Sequence, residues 1–196
     1  MIGVYGHKYQ WSEKMNEENK NNIAEIYNSF YKFLYVKHKR FPIKDTKIGL
    51  WGVAPLDDVY EFFKNINLQN YSHIIDLGSG DGKIALIASL FTNSTGIEYD
   101  KWLHNVSNDI KNKLYHIPET KRTRLINGNY MNCNLSNYDI AFINPDKTTK
   151  EIKQKLMNEF KGKLIVYGNH DKHLQEENYL NINGSLFTVY DFSNKF

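Results

Sequence analysis

Ile74-Ile75-Asp76-Leu77-Gly78-Ser79-Gly80-Asp81-Gly82-Lys83 joins a short apolar run to three glycines at alternate positions. The apolar pattern Ile84-Ala85-Leu86-Ile87-Ala88-Ser89-Leu90-Phe91 follows at once. The first run reads as a buried strand and the second as a helix. Strand, glycine turn and helix in that order build a nucleotide-type pocket at the edge of a parallel sheet. Glycine lets the backbone approach a ligand closely, because no Cβ intervenes and positive φ costs little.

The same alternation extends on both sides of the turn. Residues 56–65 predict a helix, with Leu56, Val59, Tyr60 and Phe63 on one face. Strands are expected at 73–77, 94–99, 124–127, 138–143 and 163–167, and helices at 82–91, 101–115 and 148–160. This alternation demands right-handed crossovers and a parallel sheet covered on both faces. The rhythm breaks at residues 179–182 and 186–192, two strands joined by Asn183-Gly184. That dipeptide is the strong signal for a two-residue hairpin. The expected fold is therefore α/β and Rossmann-like, a mostly parallel seven-stranded sheet with helices on both faces and a C-terminal antiparallel hairpin.

Ahead of this core, Ile23, Ile26, Tyr27, Phe30 and Leu34 recur at helical spacing, and Tyr31, Phe33 and Tyr35 widen the apolar face. Lys37-His38-Lys39-Arg40 closes that helix, and Pro42 forbids continuation. Residues 1–45 read as an N-terminal helical extension packed on a core domain of residues 46–196. No Ser/Gly linker separates them.

The 196 residues suffice for one sizeable core, and 41% hydrophobic with 24% charged residues is ordinary for a soluble globular protein. No apolar run approaches the roughly 20 residues of a membrane helix. The first residues lack the apolar core of a signal peptide. The single cysteine, Cys133, offers no internal disulfide, so a reducing cytoplasm is expected. A net charge of +3 permits an acidic partner without announcing one.

Three ligand classes use glycine turns of this kind. A Walker loop needs four residues between its glycines, then Gly-Lys-Ser/Thr, and that is absent. A dinucleotide fingerprint needs Gly-x-Gly-x-x-Gly, but Gly82 arrives one residue early and Lys83 takes the expected place. Asp76 aims a carboxylate at the turn, which would repel a pyrophosphate. It would attract the α-amino group of a methionine moiety. The residues favour S-adenosylmethionine (SAM) over NAD.

The run from Asp76 to Gly82 resembles motif I of class I SAM-dependent methyltransferases. The order of elements from about Pro55 to Phe192 is similar to that family as well. The resemblance implies that the backbone and side chains at Asp76, Gly78, Ser79, Gly80 and Asp81 hold the methionine and ribose parts of the cofactor. Glu98 ends the second core strand, where a carboxylate can accept both ribose hydroxyls. By resemblance it is the motif II acid. Tyr99 beside it is expected to pack on the adenine face. Asn129-Tyr130 stands where the family often has Asp reading the adenine amino group, which Asn can do through its amide oxygen.

The fourth core strand delivers Asn144-Pro145-Asp146-Lys147 to the same sheet edge. An Asn oxygen and a proline carbonyl can accept both hydrogens of an attacking amine and so steer its lone pair. These residues resemble the Asn/Asp-Pro-Pro-aromatic motif of amino-directed nucleic-acid methyltransferases. Asp146 replaces the second proline, and Lys147 replaces the aromatic on which a flipped base would stack. That loss argues against an adenine target. Asp146 is instead expected to attract a lysine ammonium, although transfer needs the neutral amine and lysine has an ordinary pKa of about 10.4. The plain alternative is a strand-to-helix turn capped by Asp146 or Thr148.

Trp51-Gly52-Val53-Ala54-Pro55, followed by the glycine run and Gly96-Ile97-Glu98, is similar to the small non-SET protein-lysine methyltransferases of archaeal type. In that group an aromatic-Val-Pro-Thr-Pro segment closes over the cofactor. Trp51 would serve as the aromatic, Ala54 as the threonine, and Pro55 matches. The resemblance implies a SAM-dependent enzyme methylating a nitrogen, a protein lysine ahead of RNA. A small-molecule acceptor and a non-catalytic SAM-binding module are the alternatives. His170 and His173 follow the fifth strand as candidate substrate contacts, and no metal set is evident. Cys133 reads as a buried thiol.

Overall fold

The computed structural model describes residues 3–39, 43–46, 49–146, 150–168 and 178–193, with the side chains of residues 3–12, His38 and Glu151 left aside. Helix α1 (Gly3–His38) precedes α2 (Leu56–Asn65). The core then alternates β1 (His73–Leu77), α3 (Lys83–Ala88), β2 (Asn93–Glu98), α4 (Lys101–Lys113), β3 (Thr123–Asn127), β4 (Ile140–Ile143), α5 (Lys150–Glu159) and β5 (Lys163–Tyr167). Strands β6 (Asn178–Ile182) and β7 (Ser185–Asp191) end it. The seven strands lie in the order β3-β2-β1-β4-β5-β7-β6.

Strands β1 to β5 pair in parallel, and β7 pairs antiparallel with both β5 and β6. Asn183 and Gly184 both take positive φ, 52° and 94°, as a two-residue turn of mirror-image type requires. The expected spans agree with these elements to within a few residues.

Alternation along the strands sorts side chains to two faces. Ile74 of β1 and Phe142 of β4 pack with Val59, Phe62 and Phe63 of α2, Leu86 of α3 and Ile110 of α4. Their neighbours Ile75 and Ile143 point the other way, onto Ile152 and Leu156 of α5 and Phe160 just after it. Phe62 stacks on Phe187 of β7 at 4.2 Å between ring centroids. Burying a side chain of that size stabilises the fold by about 1.5–3 kcal/mol.

Helix α1 starts far ahead of the apolar pattern that announced it. Its polar stretch is held by long-range contacts: Lys20 meets Asp57 of α2 at 2.9 Å, and Asn19 donates to Glu119 at 3.1 Å. Ile23 and Tyr27 join the same core as the sheet. The expected apolar face is narrower than the sequence suggested, because Phe33 and Tyr35 are more than half exposed. They lie on the flanks of Leu34, which takes the inward position. Arg40 and Pro42 lie outside the described residues.

Candidate functional site

The carboxyl ends of β1, β2 and β4 converge on a cleft of about 300 Å³. Leu77, Gly78 and Gly80 line it from the β1 turn, Glu98 and Tyr99 from β2, and Asn144, Pro145 and Asp146 from β4. Tyr130 closes one side. A smaller recess of about 50 Å³ continues beneath the glycine turn, lined by Asp76, Ser79, Asp81 and Asn144 among others. Trp51 borders both.

The glycine turn is held by β2. The amides of Gly78 and Ser79 both donate to the Ile97 carbonyl at 3.0 Å, and the Gly80 amide donates to Glu98 Oε2 at 2.7 Å. Gly78, Gly80 and Gly82 all have positive φ. At Gly80 a side chain is excluded twice over, by φ of 55° and by Trp51, whose Cδ1 would stand 2.5 Å from a Cβ there. Glu98 Oε1 accepts the Asp100 amide at 2.7 Å. Each Glu98 oxygen thus holds a backbone amide, and the residue lines the cleft. Burial, and to a lesser degree the Asp100 charge, raises its pKa, and the amides of Asp100, Gly80 and Tyr99 oppose the rise.

Asp76 lies buried beside the turn. It is 4% exposed, and its Oδ2 is buried with no hydrogen-bond partner. Burial first, then the charges of Glu98 and Asp81, push its pKa well above the ordinary carboxylate range. The recess that Asp76 borders, which Lys83 also lines, has room for a hydrogen-bond donor to this oxygen.

Asp81 is served by helix α1. Tyr31 Oη donates to Asp81 Oδ2 at 2.6 Å, and Tyr27 Oη donates to the Asp81 carbonyl at 2.9 Å. Lys83 is buried, donates its amine to the Ala54 carbonyl and lies against the Tyr31 ring at 5.1 Å. Burial lowers the Lys83 pKa, and Asp81 opposes that. Sequence reasoning missed these partners. A lysine in the first turn of an otherwise wholly apolar helix was the available signal.

A strap runs over the cleft ahead of α2. Lys44 and Asp45 pair antiparallel with Trp51 and Leu50. Lys44 bonds Asp100, and Thr46 and Gly49 close the turn between the paired residues. The Leu50 amide donates to Asp146 Oδ2 at 2.7 Å. A Cβ at Gly49 would stand 2.9 Å from Asp146 Oδ1, so that glycine admits the carboxylate. Asp146 therefore secures the strap, a role the sequence did not suggest. Lys147 and Thr148, His170 and His173 lie outside the described residues.

Asn129 sits apart from the other expected contacts. Its side-chain oxygen accepts the Met131 amide at 2.9 Å, capping the turn that presents Tyr130, and it is not part of the cleft lining described above. Cys133 is partly exposed rather than buried. No described helix is long and apolar enough to cross a membrane.

No protein-family model and no curated protein matches this sequence. Solved structures do match. An RNA methyltransferase from Salinibacter ruber in complex with S-adenosyl-L-homocysteine superposes with a TM-score of 0.65 at 13% identity, covering 74% of this chain and 96% of that one. A putative methyltransferase from Escherichia coli gives 0.55 at 15% identity, over 76% and 89%. A SAM-dependent methyltransferase from Neisseria gonorrhoeae gives 0.56 at 14% identity, over 79% and 78%. At these identities the likeness establishes the fold: this chain has the class I methyltransferase fold. The similarity to non-SET lysine methyltransferases finds no support in these three neighbours.

Proposed function

We propose that this chain is a SAM-dependent methyltransferase acting on a nitrogen. The carrying observation is the buried, unpartnered Asp76 Oδ2 at the foot of a recess beneath a glycine turn. An α-ammonium group there relieves the orphaned acid, and a phosphate would not. Glu98 brings a carboxylate to the cleft for vicinal hydroxyls, and Tyr99 and Tyr130 offer aromatic surface for a purine. Gly78, Ser79 and Gly80 bring backbone close to the ligand, Asp81 shapes that turn, and Trp51 covers it. The class I fold, shared with a neighbour described as bound to S-adenosylhomocysteine, supports the same cofactor.

When bound, the cofactor would supply an electrophilic methyl on a sulfonium, the thioether leaving as the C–N bond forms and the product ammonium giving its proton to solvent. This chain's part is alignment and water exclusion. Asn144 and the Pro145 carbonyl accept the hydrogens of the attacking amine, so its lone pair points into the cleft. The strap that carries Leu50 and Trp51 covers the cleft and limits the access of water.

A protein lysine is one acceptor for such a site. Its main support, a free Asp146 drawing an ammonium, is weakened by the bond from Leu50. An RNA base amine is the other reading, in keeping with the Salinibacter ruber neighbour. The test is transfer of labelled methyl from SAM to a host lysate, followed by protease or RNase. Label lost to protease identifies a protein acceptor, and label lost to RNase an RNA. Asn144→Ala should lower that transfer about 100-fold with SAM affinity retained. Binding without transfer to any fraction would leave a non-catalytic module.

A further inference from the structure

We infer that the C-terminal half of α1, together with the start of α4, is a docking surface for single-stranded RNA. The inference rests on the methyl-transfer reading for its purpose, but its observations are separate.

Charge is partitioned along α1. Residues 13–25 carry Glu13, Glu17, Glu18 and Glu25 against Lys14 and Lys20. Residues 26–39 carry Lys32, Lys37 and Lys39, all exposed, and no acid. The helix dipole accounts for cations in the last turn. It does not account for Lys32, or for the large apolar side chains exposed among them: Phe33 at 59%, Tyr35 at 53% and Val36 at 59%. Lys37 lies over the Phe33 ring at 5.7 Å.

The surface continues to the cleft. Leu34, on the inner side of the same turn, packs on Trp51 and Leu103, both of which line the cleft. Next to them Trp102 is 43% exposed, set edge-on to Trp51 at 6.4 Å; Lys44, over its ring at 5.1 Å, is already paired with Asp100, so the surface takes its free cations from α1. Exposed aromatic rings interleaved with lysines suit unpaired bases, which stack while the phosphates meet the cations. A lysine-bearing peptide brings the same sign of charge and gains nothing from them. A duplex hides its base faces.

The test uses the full chain and fluorescein-labelled oligouridine, read by anisotropy across a salt series. Lys32→Glu/Lys37→Glu/Lys39→Glu should weaken binding more than tenfold and flatten the salt slope by about 2, from roughly 0.7 per lost phosphate contact. Phe33→Ala/Tyr35→Ala should weaken binding about tenfold with the slope unchanged. Both variants should bind S-adenosylhomocysteine like the parent, which shows that they fold. Unchanged oligouridine affinity in both would overturn the inference, as would equal affinity for an RNA duplex. RNA affinity that falls as expected, in a parent that fails to bind S-adenosylhomocysteine, would uphold the surface and sink the methyl-transfer reading.

Discussion

The Leu50 amide donates to Asp146 Oδ2 at 2.7 Å, across 96 positions of sequence. That bond joins the strap over the cofactor cleft to the turn that carries Asn144 and Pro145. It gives a structural reason for an acid where amino-directed methyltransferases have a second proline. Asp146→Asn keeps a side-chain acceptor and should retain turnover within about threefold. Asp146→Ala frees the strap at the cost of a charge-assisted bond of about 1.5–3 kcal/mol if well shielded, less at this exposed position. Its KM for SAM should rise more than its kcat falls. A turnover assay in which Asn is as damaging as Ala would instead assign Asp146 a charge-based role toward the acceptor.

Asp76 links stability to pH. Its folded-state pKa is raised by burial, then by Glu98 and Asp81. A raised carboxylate pKa means that the folded state takes up the proton, so this contribution is present at low pH and is lost as pH rises through the folded pKa. Above that pKa the ionised Asp76 destabilises the ligand-free protein. Asp76→Asn should raise its Tm by about 2–4 °C for each kcal/mol relieved. The same variant should lose S-adenosylhomocysteine binding. In the parent, affinity should weaken as pH falls below the Asp76 pKa, and binding there should release a proton. Calorimetry in buffers of different ionisation enthalpy reads this directly, and proton uptake would contradict it.

Tyr31 should matter to the cofactor although it belongs to α1. Removing its hydroxyl leaves the buried Asp81 carboxylate short of one donor at 2.6 Å. Tyr31→Phe should cost about 1.5–3 kcal/mol of stability. It should also weaken S-adenosylhomocysteine binding, because Asp81 sits between Gly80 and Gly82 in the turn itself. Thermal melts with and without ligand measure both effects. A normal ligand-induced shift in Tm would show that α1 only packs.

The fold was legible because local signals agree with one another. The run Ile74-Ile75 ahead of three glycines, the apolar repeats and Asn183-Gly184 each specify an element, and the elements admit one parallel arrangement. The sheet edge gathering Asp76, Glu98 and Asn144 followed from strand ends alone. What escaped the sequence is long-range. Nothing local to Asp146 points to Leu50, and nothing local to Asp81 points to Tyr31. The spacing of α1 misplaced Phe33 and Tyr35 inward, since a wide apolar stripe does not say which side chain takes the single inward position. The polar first half of α1 has no apolar period to announce it and is held by partners such as Asp57 and Glu119.

The recess at Asp76 and the carboxylate of Glu98 are proposed to hold SAM. Isothermal titration of the full chain with S-adenosylhomocysteine tests it most directly. Micromolar binding is expected in the parent, weakened by about 1.5–3 kcal/mol, or about 10- to 150-fold, in Glu98→Ala. Absence of binding at millimolar ligand, or an unchanged affinity in Glu98→Ala, would contradict it.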